Sequence, residues 1–227
     1  MEIKLIVSAE IIAVLKLFTA QGDIRRSLNG IALEIGQKES RLIATNGAML
    51  GCFRVVSEQP EVSEPLTNII IPNELLKQIK PSDKVVEITI GDPESVGSED
   101  ETLHASNSRP VTLSCGGVSV SGTTIDDVFP NYRKVIPSNV TGQPAQFDPN
   151  LIAILAKARS AIHGGKGFPF VALGYNGQGA ALINLEHEDF VGVIMPLNPD
   201  AINVPVAPPE WVFDSLRDSD NPAADLV

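Results

Sequence analysis

Apolar residues recur along the chain with two periods, one typical of strands and one typical of helices. Glu2–Val7 alternates polar and apolar side chains as a half-buried strand does, and Ser8 can cap a helix that follows. The apolar residues of that helix share one face: Ile11, Val14, Leu15 and Phe18. The pattern therefore predicts a strand followed at once by an amphipathic helix.

The same two periods predict the remaining elements. In the first part of the chain we predict strands at 28–36, 41–46, 49–56, 67–71, 85–90, 111–114 and 118–124. Asn46-Gly47 is a hairpin signal, and a short helix is predicted from its cap at Asn73 to Lys80. In the second part we predict strands at 143–147, 170–175, 180–185, 190–195 and 202–206, and helices that begin at Asp148-Pro149 and at Pro209.

Two parts of the chain repeat each other with a constant offset of 140 residues. Ile12–Leu15 recurs as Ile152–Leu155, Ile31–Leu33 as Val171–Leu173, and Leu42-Ile43 as Leu182-Ile183. A helical pattern and two strand patterns keep one register, which indicates an internal repeat. We therefore expect two structural units of related architecture.

A connector joins the two repeats. Within Asp126–Pro137, Phe129 and Tyr132 offer large apolar surfaces beside Arg133 and Lys134. Two prolines in this stretch fix the backbone and remove hydrogen-bond donors, so we predict an extended segment that is anchored by its side chains. The predicted organisation is a first domain at 1–125, a connector at 126–142 and a second domain at 143–227.

Each repeat combines helices with several strands. This pattern predicts an α+β fold in which two helices per unit pack on antiparallel sheets. The second repeat follows the first only as far as its second helix, so the last three strands of the first unit have no predicted counterpart there. An exposed sheet edge would result, for the tail or another subunit to cover.

Composition and charge describe a soluble globular protein. The 227 residues, 43% of them hydrophobic, suffice for one large core or two moderate ones. No run of about 18 apolar residues and no basic-then-apolar N-terminal pattern is present, which predicts a cytoplasmic protein without membrane contact. Cys52 and Cys115 lie in predicted strands and are expected to be reduced thiols. The formal net charge of −11 repels phosphate on average, although cations can gather on one face.

The sequence does not favour a catalytic or metal site. Glu186–Asp189 offers metal-type ligands, but consecutive side chains of an extended segment point in alternating directions. His163–Gly167 resembles a phosphate-binding loop, yet it follows a predicted helix instead of opening one. We therefore predict a protein without enzymatic activity and without a metal ion or other cofactor.

Three segments resemble the bacterial sliding clamp, the beta subunit of DNA polymerase III. They are Asp23–Gly30, Leu42–Leu50 and Phe129–Pro137. The first 137 residues are similar to the middle domain of that family, and residues from 143 onward are similar, less closely, to its third domain. The resemblance implies the DNA-clamp fold and a role in DNA replication as a DNA-binding processivity factor. It leaves the first domain of the clamp without a counterpart in this chain.

The family arranges six domains in a ring around duplex DNA, with helices inward and sheets outward. The resemblance therefore implies sequence-independent contact with duplex DNA through cations on the helices. The candidate DNA-facing residues are Lys16, Arg25, Lys77, Lys80, Lys157 and Arg159. Ordinary solvated helix cations would show the same pattern. A homo-oligomeric ring is implied, as a dimer, trimer or tetramer, whereas a monomer would not encircle DNA.

The family also has a hydrophobic pocket that binds linear peptide motifs of DNA polymerases and of the clamp loader. The matching positions here are Leu28, Thr45, Gly47, Leu50, Pro130, Lys134 and Val135. Ala48, Met49 and Lys134 stand where the family has histidine and arginines, so the preferred peptide is expected to differ. Met195, Pro196 and Leu197 resemble a further wall of the pocket, but the repeat offset matches Met195 with Val55, inside a strand. These three are additional candidates.

Two functions follow from the resemblance. The leading one is a sliding-clamp-like processivity factor that encircles duplex DNA and tethers a DNA polymerase. The alternative is a monomeric interaction module that keeps the peptide pocket but does not encircle DNA.

Overall fold

The structure, a computed structural model, describes residues 2–56, 62–80, 83–93, 107–166, 170–201, 208, 209 and 212. Contacts divide the chain into two units, Met1–Leu197 and Asn198–Val227. All the helices and strands below belong to the first unit; in the second, a short 3₁₀ turn covers Pro199–Ala201. The predicted strand at 202–206 and most of the predicted helix from Pro209 lie outside the described residues.

The described residues form three α-helices and eleven antiparallel strands. The first part contains β1 (Ile3–Ser8), α1 (Ala9–Lys16), β2 (Gly30–Ile35), β3 (Ser40–Thr45), β4 (Met49–Val55), β5 (Leu66–Pro72), α2 (Asn73–Leu76), β6 (Val85–Ile90), β7 (Pro110–Cys115) and β8 (Val118–Thr123). The second part contains α3 (Pro149–Ile162), β9 (Ala172–Gly174), β10 (Ala181–Asn184) and β11 (Phe190–Ile194). The α+β class that the sequence predicts is confirmed.

Helices α1 and α3 begin where the sequence predicts. The Ser8 hydroxyl accepts a hydrogen bond from the backbone N–H of Glu10 at 3.2 Å. In the same way, the Asp148 carboxylate accepts one from Asn150 at 2.8 Å, with Pro149 as the first helical residue. Such a cap stabilises a helix by about 1 kcal/mol, because it satisfies an amide that has no partner within the helix.

Helix α2 is shorter than predicted and ends at Leu76 instead of Lys80. Its cap is Pro72, because the Asn73 side chain donates instead to the carbonyl of Ala20 at 2.7 Å. After Leu76, Ile79 donates its amide to the carbonyl three residues back, which tightens the chain and buries the Ile79 side chain. The helix therefore ends early because the tightened chain lets the Ile79 side chain reach the core.

No strand forms at the predicted segment 143–147. Its backbone makes isolated hydrogen bonds instead: Gly177 donates to Gln143 at 2.8 Å, and just before the segment Gly142 donates to Tyr175 at 2.9 Å. The prediction of a strand there was wrong, because the segment runs beside the β9–β10 turn and not along a strand.

The strands form two antiparallel sheets. One has four strands in the order β1-β6-β7-β8, and the other has seven in the order β5-β2-β3-β4-β11-β10-β9. In the larger sheet, β4 of the first part pairs directly with β11 of the second, from Phe53 opposite Phe190 to Met49 opposite Ile194. One continuous sheet therefore includes strands from both parts of the chain.

The main core lies between the helices and the inner faces of the two sheets. Phe18 and Phe53 are fully buried there. The Phe190 ring of β11 packs against both, with ring centroids 6.0 Å from Phe18 and 5.0 Å from Phe53. Leu155 of α3 belongs to the same core. Apolar side chains from both parts thus share one interior. Within the described residues, no helix has the length and apolarity needed to cross a membrane.

Candidate functional site

The turn between β3 and β4 is held by its own side chains. Asn46 accepts hydrogen bonds from the amides of Ala48 and Met49 at 3.0 and 2.8 Å. The Thr45 hydroxyl donates to the carbonyl of Met49 at 2.6 Å and accepts from the amide of Gly47 at 3.1 Å. Gly47 has a φ of +90°, a conformation that side-chain-bearing residues rarely adopt. These hydrogen bonds hold the turn, and the hairpin that the Asn46-Gly47 signal predicts is formed by β3 and β4.

The end of β11 lies beside this turn. Val193 is directly opposite Leu50, and the backbone N–H of Met195 donates to the carbonyl of Ala48 at 2.8 Å. Side chains alternate along a strand, so Met195 leaves β11 on the same face as Val193. Met195 keeps 41% of its surface exposed, and Leu197 keeps 37%. An exposed apolar edge therefore borders the turn.

The position of Met195 is compatible with both sequence interpretations. In chain order, β11 follows β10 as β4 follows β3, which agrees with the repeat offset. Since β4 and β11 are antiparallel neighbours, the last residue of one strand lies beside the first residue of the other. Met195 can therefore match Val55 in the repeat and still lie next to Ala48.

The loop before β2 closes another side of the turn. Leu28 is 1% exposed, in a 3₁₀ turn at Arg26–Leu28. The Arg25 guanidinium lies beside Gly47: a Cβ added to that glycine would be 3.0 Å from Nη2 of Arg25. Arg25 also pairs with Asp23, and this hydrogen bond lowers the pKa of Asp23 to about 2. Arg25, which the sequence analysis predicts to face DNA, is thus also a candidate to contact a ligand at the turn.

A second apolar cluster covers the outer face of the large sheet. We call it the outer-face cluster; its buried members are Ala32, Ile43, Leu50, Cys52, Ile70, Tyr132 and Val193. Tyr132 comes from the connector, so the connector seals this face of the sheet. Burial raises the pKa of the Cys52 thiol to about 12, which keeps the thiol neutral.

Two residues of the large sheet anchor the connector. Glu34 accepts a hydrogen bond from the Tyr132 hydroxyl at 3.0 Å and two from the Arg133 guanidinium at 2.9 and 2.5 Å. Asn68, with a φ of +58°, accepts one from the amide of Phe129 at 3.2 Å. The β2–β5 pairing shifts register between Leu33 and Ile35, at Glu34. The side-chain anchoring that the connector sequence predicts is therefore observed.

The pocket candidates of the connector are Pro130, Lys134 and Val135. Pro130 is exposed and lines a cavity of about 250 Å³ together with Glu34 and Asn68. Lys134 is exposed, and Val135 keeps 44% of its surface exposed. Strand pairing and hydrogen bonds join Thr45, Gly47, Leu50 and Met195 at the turn. Pro196 follows Met195, and the amide of Leu197 donates to the carbonyl of Gln146 at 2.8 Å.

Three residues of this region were not predicted as site residues. Val193 lies opposite Leu50, and Tyr132 and Glu34 fix the connector over the same face. The two-residue alternation of Val191, Val193 and Met195 is a signal that identifies Val193 as a member of this face. Glu34 gives no such signal, because its partners lie about a hundred residues further along the chain.

The candidate DNA-facing cations occupy different environments. Lys77 and Lys80 are exposed just after α2, and Lys157 is exposed on α3. Lys16 is half-buried, and its ammonium donates to the carbonyl of Ile79 at 3.4 Å; burial lowers its pKa. Lys77, Lys80 and Lys157 are therefore the helix-associated candidates best placed to meet a phosphate.

Arg159 does not fit the prediction that it faces DNA. It is only 8% exposed, pairs with Glu186, and its Cζ lies 4.1 Å from the centroid of the Phe170 ring. The sequence pattern missed this, because the partners lie 11 and 27 residues away in the chain. The guanidinium packs against the protein, so little of its surface is accessible to a ligand such as DNA.

Comparison with known proteins gives one consistent result. No family model matches the sequence. The curated beta sliding clamp of Salmonella typhimurium is 27% identical over 124 residues, which cover 53% of this chain and 29% of that protein.

Solved structures of sliding clamps share the fold. The DNA polymerase sliding clamp of Pseudomonas aeruginosa has a TM-score of 0.57 at 16% identity, over 86% of this chain and 66% of that one. The beta subunit of DNA polymerase III from Thermotoga maritima has a TM-score of 0.57 at 16% identity, over 86% and 65%. That of Borrelia burgdorferi has a TM-score of 0.58 at 12% identity, over 86% and 64%.

The matched part spans under a third of the curated relative and about two thirds of the solved ones. Over the matched part, the sequence similarity and the structural similarity both agree with the resemblance to the sliding clamp. The chain has the DNA-clamp fold and is similar to the bacterial sliding clamp, the beta subunit of DNA polymerase III.

Proposed function

We propose that this chain is a sliding-clamp-like processivity factor, which holds a DNA polymerase on duplex DNA and performs no catalysis itself. The observation on which the proposal rests is the junction of β4 and β11. It brings Met195 against the turn that contains Gly47, with Leu50 and Val193 paired beside it. Of these residues, Gly47, Leu50 and Met195 stand at positions that resemble the peptide pocket of the family.

The junction suits a short apolar peptide motif. Met195 is flexible, polarisable and partly exposed, so it can adapt its shape to a bound side chain. The rigid turn below it offers a fixed wall, which lowers the entropy cost of binding. The clamp of Pseudomonas aeruginosa has been solved bound to griselimycin, which shows that a relative of this fold accepts a ligand. We propose that polymerase and clamp-loader peptides bind here, with Pro130, Lys134 and Val135 contributing from the connector.

The cations near the helices suit weak contact with duplex DNA. Lys77, Lys80 and Lys157 are exposed on or just after α2 and α3, in a chain whose net charge is −11. Point-like ammonium groups bind phosphates without reading sequence, and the contacts break easily. Exposed ammonium groups of this kind on an acidic protein would bind DNA weakly, as a ring that slides requires.

Encirclement requires several copies of the chain. We propose a homo-oligomeric ring, since the family that the chain resembles surrounds duplex DNA with six domains. In this proposal each chain has a first domain at 1–125 and a second domain at 143–227, joined by the connector at 126–142. A trimer, or a tetramer of chains that each supply about one and a half domains, would match the six domains of the family. The expected location is the cytoplasm.

The second candidate function is a monomeric module that binds clamp-binding peptides without encircling DNA. One observation favours it: in the described residues, the second part contains one α-helix and three strands, against two α-helices and eight strands in the first. Among the described residues, the second part therefore does not match a complete clamp domain, which favours a module over a ring.

Solution mass and DNA retention separate the two functions. Light scattering at micromolar concentrations, with and without nicked circular DNA, measures the oligomer and its association with DNA. The clamp function predicts a stable trimer or tetramer that, once loaded, stays on circular DNA and slides off when that DNA is cut. A monomer at all concentrations, or equal retention on circular and linear DNA, would contradict encirclement and favour the peptide-binding module.

A further inference from the structure

The four-stranded sheet ends at β8, whose outer edge is open. Strand β8 pairs with β7 on one side, over six residue pairs. Among the described residues, its backbone forms no hydrogen bond to any other segment. Most of the strand is accessible to solvent; its exposed residues are Val118, Ser119, Ser121 and Thr123. The edge therefore presents unpaired amides and carbonyls to which a further strand can bond.

The other edges of the two sheets are covered or charged. At one edge of the seven-stranded sheet, Ile125 donates its amide to the carbonyl of Ile70 in β5 at 2.9 Å. At the opposite edge, Gly142 donates to Tyr175, just after β9, at 2.9 Å. Strand β1 carries the exposed Lys4, and charged side chains discourage the addition of a strand. In the part of the chain that the structure describes, β8 alone has neither a covering segment nor a charged side chain.

The geometry of the β7–β8 hairpin shows which backbone groups point to the open edge. A turn of two glycines, both with positive φ, connects the strands. In a two-residue hairpin, the pair next to the turn exchanges backbone hydrogen bonds, and bonded and non-bonded pairs alternate from there. That first pair is Cys115 and Val118. The amides and carbonyls of Ser119, Ser121 and Thr123 therefore point away from β7.

The side chains of β8 are suited to pairing with an identical strand. Hydroxyl groups occupy one face, where the Ser121 hydroxyl lies 2.8 Å from that of Thr112 in β7. On the other face, Val120 packs partly on the main core. No charged residue occurs from Gly116 to Thr124, so two copies of this acidic chain can approach each other here without direct repulsion.

We propose that β8 pairs antiparallel with β8 of a second copy of this chain, about a two-fold axis at Ser121. In this register, Ser121 lies opposite Ser121 of the second copy, and Ser119 lies opposite Thr123. Hydroxyl groups meet hydroxyl groups on one face, and Val120 meets Gly122 on the other. All three residues with outward amides gain partners, whereas a shift by one residue would mismatch both the faces and the amides.

A second copy is the occupant that the described edges favour. A two-fold contact needs one open edge, which every copy has in β8. A contact between two different edges would need a second open strand, and the described residues offer none that is both uncovered and uncharged. The pairing joins two four-stranded sheets into one continuous sheet of both copies.

The two-fold axis also places the short helices of both copies on one side. Helix α2 lies over the inner face of β8, since a Cβ added to Gly122 would be 2.9 Å from Cδ2 of Leu75. An axis perpendicular to the sheet keeps this face on the same side in both copies. The exposed Lys77 and Lys80 of the two chains then lie on one side of the shared sheet.

This contact goes beyond the proposed function, because it forms with or without DNA and peptide. It also bears on the number of chains in a ring. A two-fold contact joins chains in pairs, so a ring that contains it has an even number of chains. Of the trimer and the tetramer, only the tetramer satisfies this condition.

The test is sedimentation equilibrium of the full chain at micromolar to millimolar concentrations, without DNA. Wild type should associate in a concentration-dependent way. Ser121→Lys places two ammonium groups opposite each other at the axis and should weaken self-association by about tenfold or more. Thr112→Lys is the matched control, because it adds the same charge to the same face and removes the same hydroxyl contact, one strand in from the edge. Thr112→Lys should associate like wild type.

A charge swap tests the two-fold register directly. Ser121→Glu should also weaken self-association, whereas an equal mixture of Ser121→Lys and Ser121→Glu should form a mixed pair at least as tightly as wild type. Circular dichroism of each variant checks that it is folded. A monomeric wild type, unchanged association of Ser121→Lys, an equal loss in Thr112→Lys, or no recovery in the mixture would each overturn the proposal.

The proposed function can fail independently of this contact. Ser121→Lys should bind the polymerase-derived peptide as wild type does, since β8 and the turn at Asn46–Ala48 lie in different sheets. An oligomeric wild type whose mass Ser121→Lys leaves unchanged would overturn the β8 contact and leave the ring. Charge-swapped pairs with equal retention on circular and linear DNA would support the contact and contradict the ring.

Discussion

The backbone N–H of Met195 lies 2.8 Å from the carbonyl oxygen of Ala48, although the two residues are separated by most of the chain. This hydrogen bond extends the β4–β11 pairing past the last strand residue and fixes Met195 beside the Asn46–Ala48 turn. An exposed methionine is thereby attached to a rigid turn, and its contribution to peptide binding can be measured.

Met195→Ala should weaken binding of a polymerase-derived apolar peptide by about tenfold, which corresponds to about 1.4 kcal/mol. The reason is loss of the adaptable wall above Leu50 and Gly47. Fluorescence anisotropy with the labelled peptide measures the effect. Val128→Ala is the matched control, because Val128 is an exposed apolar residue of the connector, at 72% exposure. Unchanged affinity of Met195→Ala would contradict a pocket at the turn.

Gly47→Ala should lower the free energy of unfolding by about 1–2 kcal/mol, because its φ of +90° is unfavourable for a residue with a Cβ. It should also weaken peptide binding, since the new Cβ displaces the Arg25 guanidinium. Gly117→Ala provides the comparison: Gly117 has a φ of +81°, and a Cβ added there would have no neighbouring atom within 4 Å. Urea unfolding and peptide anisotropy on both variants separate backbone strain from a local effect on the pocket. A similar loss of affinity in Gly117→Ala would show that strain alone is responsible.

Glu34→Gln should lower the free energy of unfolding at pH 7 by about 1–2 kcal/mol, since it removes the charge that pairs with Arg133. Burial alone would raise the pKa of Glu34, but hydrogen bonds from Arg133 and Tyr132 outweigh burial and lower it. A lowered pKa means that the stabilisation is complete above the ordinary value of about 4.3 and is lost as the pH falls through the lower folded value.

The difference between wild type and Glu34→Gln should therefore be constant near neutral pH and shrink below about pH 4. Thermal unfolding followed by circular dichroism between pH 3 and 7 measures it. Glu64→Gln removes an exposed glutamate and should have little effect. A difference that persists unchanged at pH 3 would show that the Glu34 charge does not hold the connector.

Replacing Lys77, Lys80 and Lys157 together by glutamate should weaken association with nicked circular DNA at low salt. The same variant should also flatten the dependence of binding on salt concentration, because fewer counterions are released. Lys4→Glu with Lys38→Glu and Lys84→Glu makes the same change of charge on strand β1 and in loops. If both triple variants lose DNA equally, the effect is that of net charge and not of the helix-associated surface.

Local features of the fold were predictable from the sequence, whereas long-range pairings were not. Ser8 and Asp148 cap helices where the pattern predicts, because capping depends on neighbouring residues only. The early end of α2 depends on the burial of Ile79 in the core, which no local pattern contains.

The candidate site shows the same division. The Asn46-Gly47 signal predicts the turn, and the resemblance supplies the residues around it. The pairing of Leu50 with Val193 and the hydrogen bonds that Tyr132 and Arg133 donate to Glu34 join residues about a hundred positions apart or more. The burial of Arg159 against Phe170 and Glu186 likewise requires the folded chain, so helix periodicity alone gave it the wrong environment.

The ladder between β4 and β11 has a mechanical consequence. Five residue pairs join the strands, and Phe190 packs between Phe18 and Phe53 behind them. A hinge in the connector would therefore have to break backbone hydrogen bonds and open the interior, so the chain resists bending there. A single proteolytic cut in the exposed stretch at 138–142 should leave two fragments that still migrate together under native conditions. The covalent link between the two parts is less important to their geometry than the sheet they share.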